Sequence, residues 1–249
     1  MNQEWLNDLK KEEKESFSGW DFSYIHKRII NPKLPWDYLK IAKKLVKKST
    51  SVLDMETGGG EVFSSFAPFP NHAVAYEGYK PNVSIAKKKL KPLGVKVVEV
   101  NKIDSLPFRE EEFDLILNRH GAVNAKETYR ILKKGGTFLT QQVTGSEDLQ
   151  DLVKEFKAHR KFSNITLEKY LNELKKAGFK IIIAKKHKGK LRFKDVGAIV
   201  YYLRAIPWIV EGFSVNTHLP YLENLQNKLI KNKKLEFDTA RFLILAKKE

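Results

Sequence analysis

The sequence predicts an α/β fold in which helices cover both faces of a mostly parallel, seven-stranded sheet. Short apolar strands alternate with amphipathic helices over residues 36–143, and turn residues separate the segments. Alternation at this spacing is typical of βαβ units, whose crossover connections place the strands parallel. With 249 residues, 42% of them hydrophobic, the chain is long enough to bury one such core and to carry added segments.

The order of elements follows from periodicity and from helix start and stop signals. Helical spacing begins after Pro35, and the helix over 82–94 has Asn82 as its predicted cap and closes at Gly94. Predicted helices cover 36–49, 60–67, 82–94, 124–136 and 164–179. Predicted strands cover 51–55, 72–78, 95–100, 113–120, 137–143, 180–186 and 241–248.

The ends of the chain differ from this regular middle. Residues 1–35 are predicted to form a helical and aromatic extension, and residues 36–249 the main domain. Between the last two predicted strands lies an aromatic, apolar segment, about 188–240, which we interpret as an inserted cap over the sheet. We expect this cap and the extension to wall a binding pocket together, because aromatic side chains suit flat ligands.

Bulk properties narrow the class of protein and its partners. The net charge of +16 allows an RNA partner, but only eight of the 46 basic residues are arginine and the lysines are scattered, which favours solvated helix faces. There is no apolar run of membrane-spanning length and no cysteine, and the histidines show no metal spacing. We therefore expect a cytoplasmic protein without a membrane or metal partner.

The stretch SVLDMETGGGEVF, residues 51–63, is the main candidate for a ligand site. A strand leads into three glycines and a helix start, which is the outline of a nucleotide-binding turn at the carboxyl edge of a parallel sheet. Gly58 and Gly60 allow a sharp turn and a close approach by a ligand. Glu77 ends the second strand of the regular region at the spacing expected of an acid that binds ribose hydroxyls.

The acids of this stretch discriminate between nucleotide ligands. Asp54, Glu56 and Glu61 would face a bound pyrophosphate at short range, and like charges in a partly buried site cost kilocalories. NAD, FAD and ATP are therefore disfavoured. A nucleoside that carries positive charge and no phosphate, such as S-adenosylmethionine, fits better. Glu56 has two open readings, a contact to the ligand's ammonium group or a cap for the next helix.

Four motifs then resemble the class I S-adenosylmethionine-dependent methyltransferases. They are VLDMETGGGE, AYEG, DSLPFREEEFDLILNRH and RILKKGGTFLTQQV, and the resemblance covers about residues 36–145 and the last two strands. It is greatest to bacterial proteins of unassigned acceptor, and it implies a Rossmann-like sheet with S-adenosyl-L-methionine as methyl donor. It assigns cofactor binding to Asp54, Glu56, Thr57, Gly58, Gly60, Glu77, Gly78, Asp104, Ser105 and Asn118.

Residues for the reaction follow from the end of the fourth strand of the regular region. Methyl transfer from a sulfonium depends largely on positioning, and a base helps where the acceptor must lose a proton. His120 is our candidate base, with a structural loop histidine as the alternative, and Asn118 lies where relatives place groups near the transferred methyl. Candidate acceptor-binding residues are Arg119, Asp195, Arg204 and Trp208.

The sequence thus predicts a methyltransferase that acts on a small molecule. One alternative is an RNA-base methyltransferase, which the basic charge favours. Another is a non-catalytic protein that binds S-adenosylmethionine, since Glu56 replaces a loop glycine and Lys102 and Ile103 stand where relatives carry an acid and a small residue.

Overall fold

One mixed sheet organises residues 3–159 and 161–249, the part of the chain that this computed structural model describes. Its eight strands are β1 (Ile29–Ile30), β2 (Ser51–Met55), β3 (His72–Glu77), β4 (Lys96–Glu99), β5 (Phe113–Arg119), β6 (Leu132–Val143), β7 (Phe179–Phe193) and β8 (Leu235–Lys248). Their order across the sheet is β1-β7-β8-β6-β5-β2-β3-β4. Met1 and Asn2 of the predicted extension lie outside the described residues.

The strand directions explain how the sheet departs from the predicted one. Strands β2 to β6 pair in parallel, whereas β8 runs antiparallel to both β6 and β7, and β1 runs antiparallel to β7. The α/β prediction is confirmed, but the sheet is mixed and has eight strands rather than seven. The additional strand, β1, has two residues and belongs to the N-terminal extension, so it carries no alternating pattern.

Strands β7 and β8 are longer than their sequence patterns indicate. They pair along almost their whole length, from Phe179 opposite Lys248 to Phe193 opposite Leu235. Their outer halves cover residues that we expected in the inserted cap. Continuous antiparallel pairing satisfies the backbone of both strands, so the ladder extends into a polar and glycine-containing stretch.

Nine helices of the described chain flank this sheet. They are α1 (Gln3–Lys14), α2 (Tyr38–Val46), α3 (Glu61–Ser64), α4 (Lys80–Leu90), α5 (Ala125–Ile131), α6 (Gln150–Glu155), α7 (Leu167–Ala177), α8 (Val196–Ala205) and α9 (Val215–Asn232). Side chains of Asp37, Asn124, Thr166, Asp195 and Ser214 cap the starts of five of them. The predicted cap at Asn82 is wrong, because α4 begins two residues earlier.

Three apolar clusters hold these layers together. One joins α2, α3 and α4 to one face of the sheet, through side chains such as Tyr38, Phe63 and Leu90. A second packs α5 and α7 against the opposite face. The third lies away from the parallel strands and joins α1, α6, α8 and α9 to the outer ends of β7 and β8.

The N-terminal segment and α8–α9 form one covering unit. We call it the cap from here on; it comprises residues 3–28 and 194–234 and so differs from the predicted inserted cap, about 188–240. The Arg28 guanidinium donates to Asp195 at 2.9 and 2.5 Å and to Glu12 at 2.8 Å. The Tyr201 hydroxyl donates to the carbonyl of Ser16 at 3.2 Å. These bonds connect parts of the chain that are far apart in sequence. The division into an extension and a main domain stays a prediction.

Candidate functional site

The glycine loop leaves the carboxyl end of β2 in a left-handed conformation. Glu56, Gly58 and Gly60 have φ of 56°, 64° and 80°. Glycine adopts such angles freely, whereas a residue with a Cβ is strained there. The Thr57 N–H donates to the carbonyl of Tyr76 at 3.0 Å, which ties the loop to β3. The backbone thus keeps the turn of a loop that begins with glycine, although the first residue of this loop is Glu56.

Glu77 connects the glycine loop to the end of β3. Its carboxylate accepts the N–H of Gly58 at 2.7 Å and that of Tyr79 at 2.8 Å. The side chain is only 5% exposed, and burial raises the pKa of its carboxyl while the two backbone bonds lower it. Next to it, a Cβ on Gly78 would lie 2.8 Å from the carbonyl oxygen of Val100, so only glycine fits there without a shift.

Asp54 and Glu56 make this edge of the sheet acidic. Burial raises the pKa of Asp54 to about 7, against the attraction of Arg119, and the charge of Glu77 adds to the rise. Burial and Glu77 also raise the pKa of Glu56 to about 7. A cationic ligand would stabilise acids whose pKa is raised in this way, because a nearby positive charge favours their ionised form. The arrangement therefore suits a cation and repels a polyphosphate.

Asn118 lies at the centre of a hydrogen-bond network under this edge. Its Oδ1 accepts from Thr140 Oγ1 at 2.9 Å and from Gln142 Nε2 at 2.5 Å, and its Nδ2 donates to the carbonyl of Met55 at 3.4 Å. The Tyr38 hydroxyl donates to its backbone carbonyl at 3.3 Å. The side chain is fully buried, so the amide orients the ends of β2, β5 and β6 from below.

His120 follows β5 with a left-handed φ of 65°. Its Nε2 lies 3.3 Å from Nε2 of Gln141. Burial, together with the charges of Arg119 and Arg241, holds the pKa of the ring well below its usual range. His120 is therefore neutral at physiological pH, the form that can accept a proton, and it is a weak base.

Asp104 and Ser105 lie in the loop between β4 and β5, and both are exposed. Asp104 accepts a hydrogen bond from the Asn124 side chain at 2.8 Å, which links this loop to the start of α5. Thr57 and Gly58 lie in the loop after β2. The predicted cofactor-binding residues thus come from the ends of β2, β3 and β5 and from the loops after β2, β3 and β4, at the carboxyl edge of the parallel strands.

The predicted acceptor-binding residues fall in different surroundings. Asp195 caps α8 by accepting the N–H of Ala198 at 2.8 Å, and it also pairs with Arg28. Arg204 donates to the backbone carbonyl of Glu13 at 3.4 Å. Both side chains thus connect elements of the cap. Trp208 and Arg119 lie nearer to the glycine loop, as the following contacts and the electrostatic interaction of Arg119 with Asp54 indicate.

The cap reaches the glycine loop through Trp20. Its ring stacks on Trp208, with ring centroids 5.9 Å apart and planes at 5°. A Cβ on Gly58 would lie 3.2 Å from Cβ of Trp20, so the tryptophan rests on the loop. The aromatic side chains of the N-terminal extension and of the inserted cap predicted that these two segments wall one pocket. The structure shows that Trp20 and Trp208, one from each segment, are in contact.

Arg241 and Gln141 are site residues that sequence reasoning missed. Gln141 accepts the Trp36 indole N–H at 2.8 Å and lies beside His120. Arg241 begins the last predicted strand, more than a hundred residues from His120, and no local pattern marks it. Only the order of β5, β6 and β8 brings these residues together.

No helix in residues 3–159 and 161–249 is long and apolar enough to cross a membrane. The same residues contain no group of three or more His, Asp or Glu side chains arranged to hold a metal ion.

This chain is similar to known proteins in sequence and in fold. Residues 53–140 match the methyltransferase domain family. A phosphoethanolamine N-methyltransferase of Plasmodium falciparum (isolate 3D7) is 26% identical over 164 residues, which are 59% of this chain and 62% of that protein. The uncharacterized methyltransferase YcgJ of Bacillus subtilis (strain 168) is 29% identical over 117 residues, 43% of this chain and 46% of that protein. The chain thus spans less than two thirds of either curated relative.

The fold is shared with solved structures. A Bacillus halodurans C-125 protein described as a methyltransferase superposes with a TM-score of 0.61 at 21% identity, over 85% of this chain and 98% of that one. The predicted resemblance to class I methyltransferases is confirmed by these matches.

Proposed function

We propose that this chain, which carries a methyltransferase domain, transfers a methyl group from S-adenosylmethionine to a small-molecule acceptor. One observation carries the proposal: the buried Glu77 carboxylate holds the N–H of Gly58 at 2.7 Å and thereby brings the glycine loop against the end of β3. A carboxylate fixed beside a glycine turn is suited to ribose hydroxyls.

The chemistry of the donor set fits this cofactor. Asp54, Glu56 and Glu77 offer carboxylates for hydroxyl and ammonium groups, and their raised pKa values favour a cation as ligand. Three acids so close together disfavour a pyrophosphate. When bound, S-adenosylmethionine supplies a methyl group already activated on a sulfonium.

The chain's own residues then hold, orient and enclose the reactants. Asn118 and its partners fix the ends of β2, β5 and β6, so groups that follow these strands keep a constant position. The neutral ring of His120 is our proposed base for a methyl acceptor that must lose a proton. Trp20 and Trp208 exclude water from above the loop.

The acceptor that this arrangement favours is a small molecule. The cap covers the loop with stacked aromatic rings, which suits a compact ligand better than a nucleic-acid strand. Several surface lysines are paired with acids, among them Lys161, Lys180 and Lys190, so part of the positive charge is neutralised. The Plasmodium falciparum relative is named for a small acceptor, phosphoethanolamine.

One observation favours a second candidate, a protein that binds S-adenosylmethionine without methyl transfer. Glu56 holds the left-handed angle of a loop glycine and adds a buried carboxyl at the same point. A strained, charged side chain in this position alters the loop where the cofactor would lie. Cofactor binding without turnover on a broad panel of acceptors would favour this candidate.

Calorimetric titration with S-adenosylmethionine, S-adenosylhomocysteine and NAD tests the cofactor assignment. We expect micromolar binding of both adenosyl ligands, none of NAD, and loss of the adenosyl binding in Glu77→Ala. Glu110→Ala is the matched control, because Glu110 is exposed and precedes β5 at the opposite edge of the sheet. NAD binding, or unchanged affinity in Glu77→Ala, would contradict the proposal.

A further inference from the structure

Two arginines from distant parts of the chain lie on the same face of the sheet, beside the proposed reaction site. Arg119 ends β5 opposite Gln141 of β6, and Arg241 of β8 lies opposite Val143 of β6. Residues two apart in a strand point to the same face, and opposed residues of neighbouring strands share a face. Arg119 and Arg241 therefore project from one face, separated by a single strand.

Other groups complete a basic surface around this pair. His187 of β7 is opposite Arg241, so it shares that face, and its ring meets the edge of Trp36 with centroids 6.5 Å apart. The Trp36 indole in turn donates to Gln141. We call Arg119, Arg241 and His187 the basic face. All three side chains are partly exposed, so a ligand can reach them.

The two guanidinium groups have no carboxylate partner within the described ranges. Arg28, Arg130 and Arg192 each hold a carboxylate at 2.5 to 2.8 Å. By contrast, neither Arg119 nor Arg241 forms an ion pair with any residue in 3–159 or 161–249, and Arg241 makes only a 3.4 Å bond to the Thr239 hydroxyl.

Two acids of this region, Asp54 and Asp148, form no ion pair with the arginines. Asp54 attracts Arg119 electrostatically, but burial raises the pKa of Asp54 to about 7, so its charge is incomplete at neutral pH. Asp148 accepts bonds from the Thr239 hydroxyl and the Ala240 N–H. Burial lowers the pKa of Arg119, and Arg241 lowers it further, which shows that the two cations repel each other.

We propose that Arg119 and Arg241 together bind an anionic group, a phosphate or carboxylate, of the methyl acceptor. Two forked guanidinium groups provide the planar donors that such oxygens prefer, and an anion between them would remove their mutual repulsion. The inference rests on the proposed function, since it names the class of acceptor for the same site: a small molecule with a nucleophilic atom and an acidic group.

Inorganic phosphate is the probe for the anion site. The unfolding temperature is measured in phosphate and in chloride at matched ionic strength, for the unmodified protein, Arg241→Gln, Arg119→Gln and the control Arg109→Gln. Arg109 is exposed and lies before β5, at the other edge of the sheet. Unfolding temperatures in chloride check that each variant folds.

We expect phosphate to stabilise the unmodified protein and Arg109→Gln, because a ligand of the native state raises the unfolding temperature. The affinity of the protein for phosphate should fall at least about tenfold in Arg241→Gln and in Arg119→Gln, since each substitution removes a guanidinium group that donates charge-assisted hydrogen bonds. Arg241→Lys should bind with intermediate affinity, because the charge stays and the fork is lost. Equal stabilisation of all variants would overturn the proposal, since phosphate would then bind elsewhere on the basic surface.

The carboxylate of the proposed cofactor is another anion that the arginine pair could bind. A second titration distinguishes this assignment from binding of the acceptor. We expect Arg241→Gln to bind S-adenosylmethionine within about threefold of the unmodified protein. A loss of tenfold or more would assign the pair to the cofactor carboxylate and overturn the assignment to the acceptor. Absence of S-adenosylmethionine binding in every variant would overturn the proposed function, while the phosphate titration would still report on the arginine pair.

Discussion

The two ends of the site carry opposite charges on the same edge of the sheet. At β2 and β3, the carboxyl groups of Asp54, Glu56 and Glu77 crowd together and their pKa values are raised. At β5 and β8, Arg119 and Arg241 lie close enough that the pKa of Arg119 is lowered. Each end holds like charges that burial makes costly, and Asp54 and Arg119 attract each other electrostatically between them.

The opposite charges of the two ends indicate which group of a ligand each end favours. A cluster of one sign in a partly buried site is unfavourable by itself and gains from a ligand of the other sign. The acidic end suits the ammonium and sulfonium of the proposed cofactor. The basic end suits an acidic group of the acceptor. The following predictions test whether the two ends act separately.

The largest expected effect is at the acidic end. Glu77→Gln keeps the size of the side chain and removes its charge, so the Kd for S-adenosylmethionine should rise by about 10- to 100-fold, the value of a charge-assisted hydrogen bond. Affinity for inorganic phosphate should stay unchanged, because Glu77 does not contact the basic face. Calorimetry with both ligands measures the two affinities. A parallel loss of phosphate affinity would show that the ends are not independent.

A second test at the acidic end uses pH. The pKa values of Asp54 and Glu56 are both about 7, so the acids are mostly ionised at pH 8 and mostly protonated at pH 6. A cationic ligand prefers the ionised form, so its affinity should fall about tenfold per acid between pH 8 and pH 6. Titrations of S-adenosylmethionine at several pH values measure this. Adenosine, which is uncharged, is the matched ligand, and an equal pH dependence for it would contradict the explanation.

Replacement of the strained acid gives a third test. Glu56→Gly removes a left-handed residue with a Cβ and should stabilise the unliganded protein by about 1 kcal/mol at low pH. The pKa of Glu56 is raised from 4.5 to about 7 on folding, so the native acid loses stability as pH rises through this window. The gain from Glu56→Gly should therefore be larger at pH 8 than at pH 5. Thermal unfolding at both values measures it, and a gain that shrinks toward pH 8 would refute the buried-acid explanation.

The smallest expected effect concerns His120. Its pKa lies well below the usual range, so its ring should stay neutral between pH 6 and pH 9. Proton NMR of the histidine ring signals measures this. Arg241→Gln should raise the pKa of His120, because it removes one of the repelling charges. A His120 signal that titrates near neutral pH in the unmodified protein would show that the basic face is screened.

Local features of the site could be predicted from the sequence. The glycine loop follows directly from a strand and precedes a helix, and Glu77 ends the next strand, so their positions depend on short-range patterns. The strand β1 could not be found in this way. Its two residues pair with Phe193 and Arg192, which lie far along the chain.

Long-range features could not be predicted, because they depend on strand order and on how the cap docks. Arg119 of β5 and Arg241 of β8 lie near each other because a single strand, β6, separates their strands in the sheet. Asp195 was proposed to bind the acceptor, yet its carboxylate meets Arg28, a residue whose position is set by docking of the N-terminal segment. Charge and aromatic content identified these segments, but not their partners.

Trp20 rests on Gly58 and stacks on Trp208, and both tryptophans lie outside residues 53–140, the region shared with the family. The side chains that cover the glycine loop thus come from parts of the chain that the family match does not include. Two chains with identical residues 53–140 could therefore bind different methyl acceptors. Similarity in that region would indicate the same methyl donor but would not indicate the same acceptor.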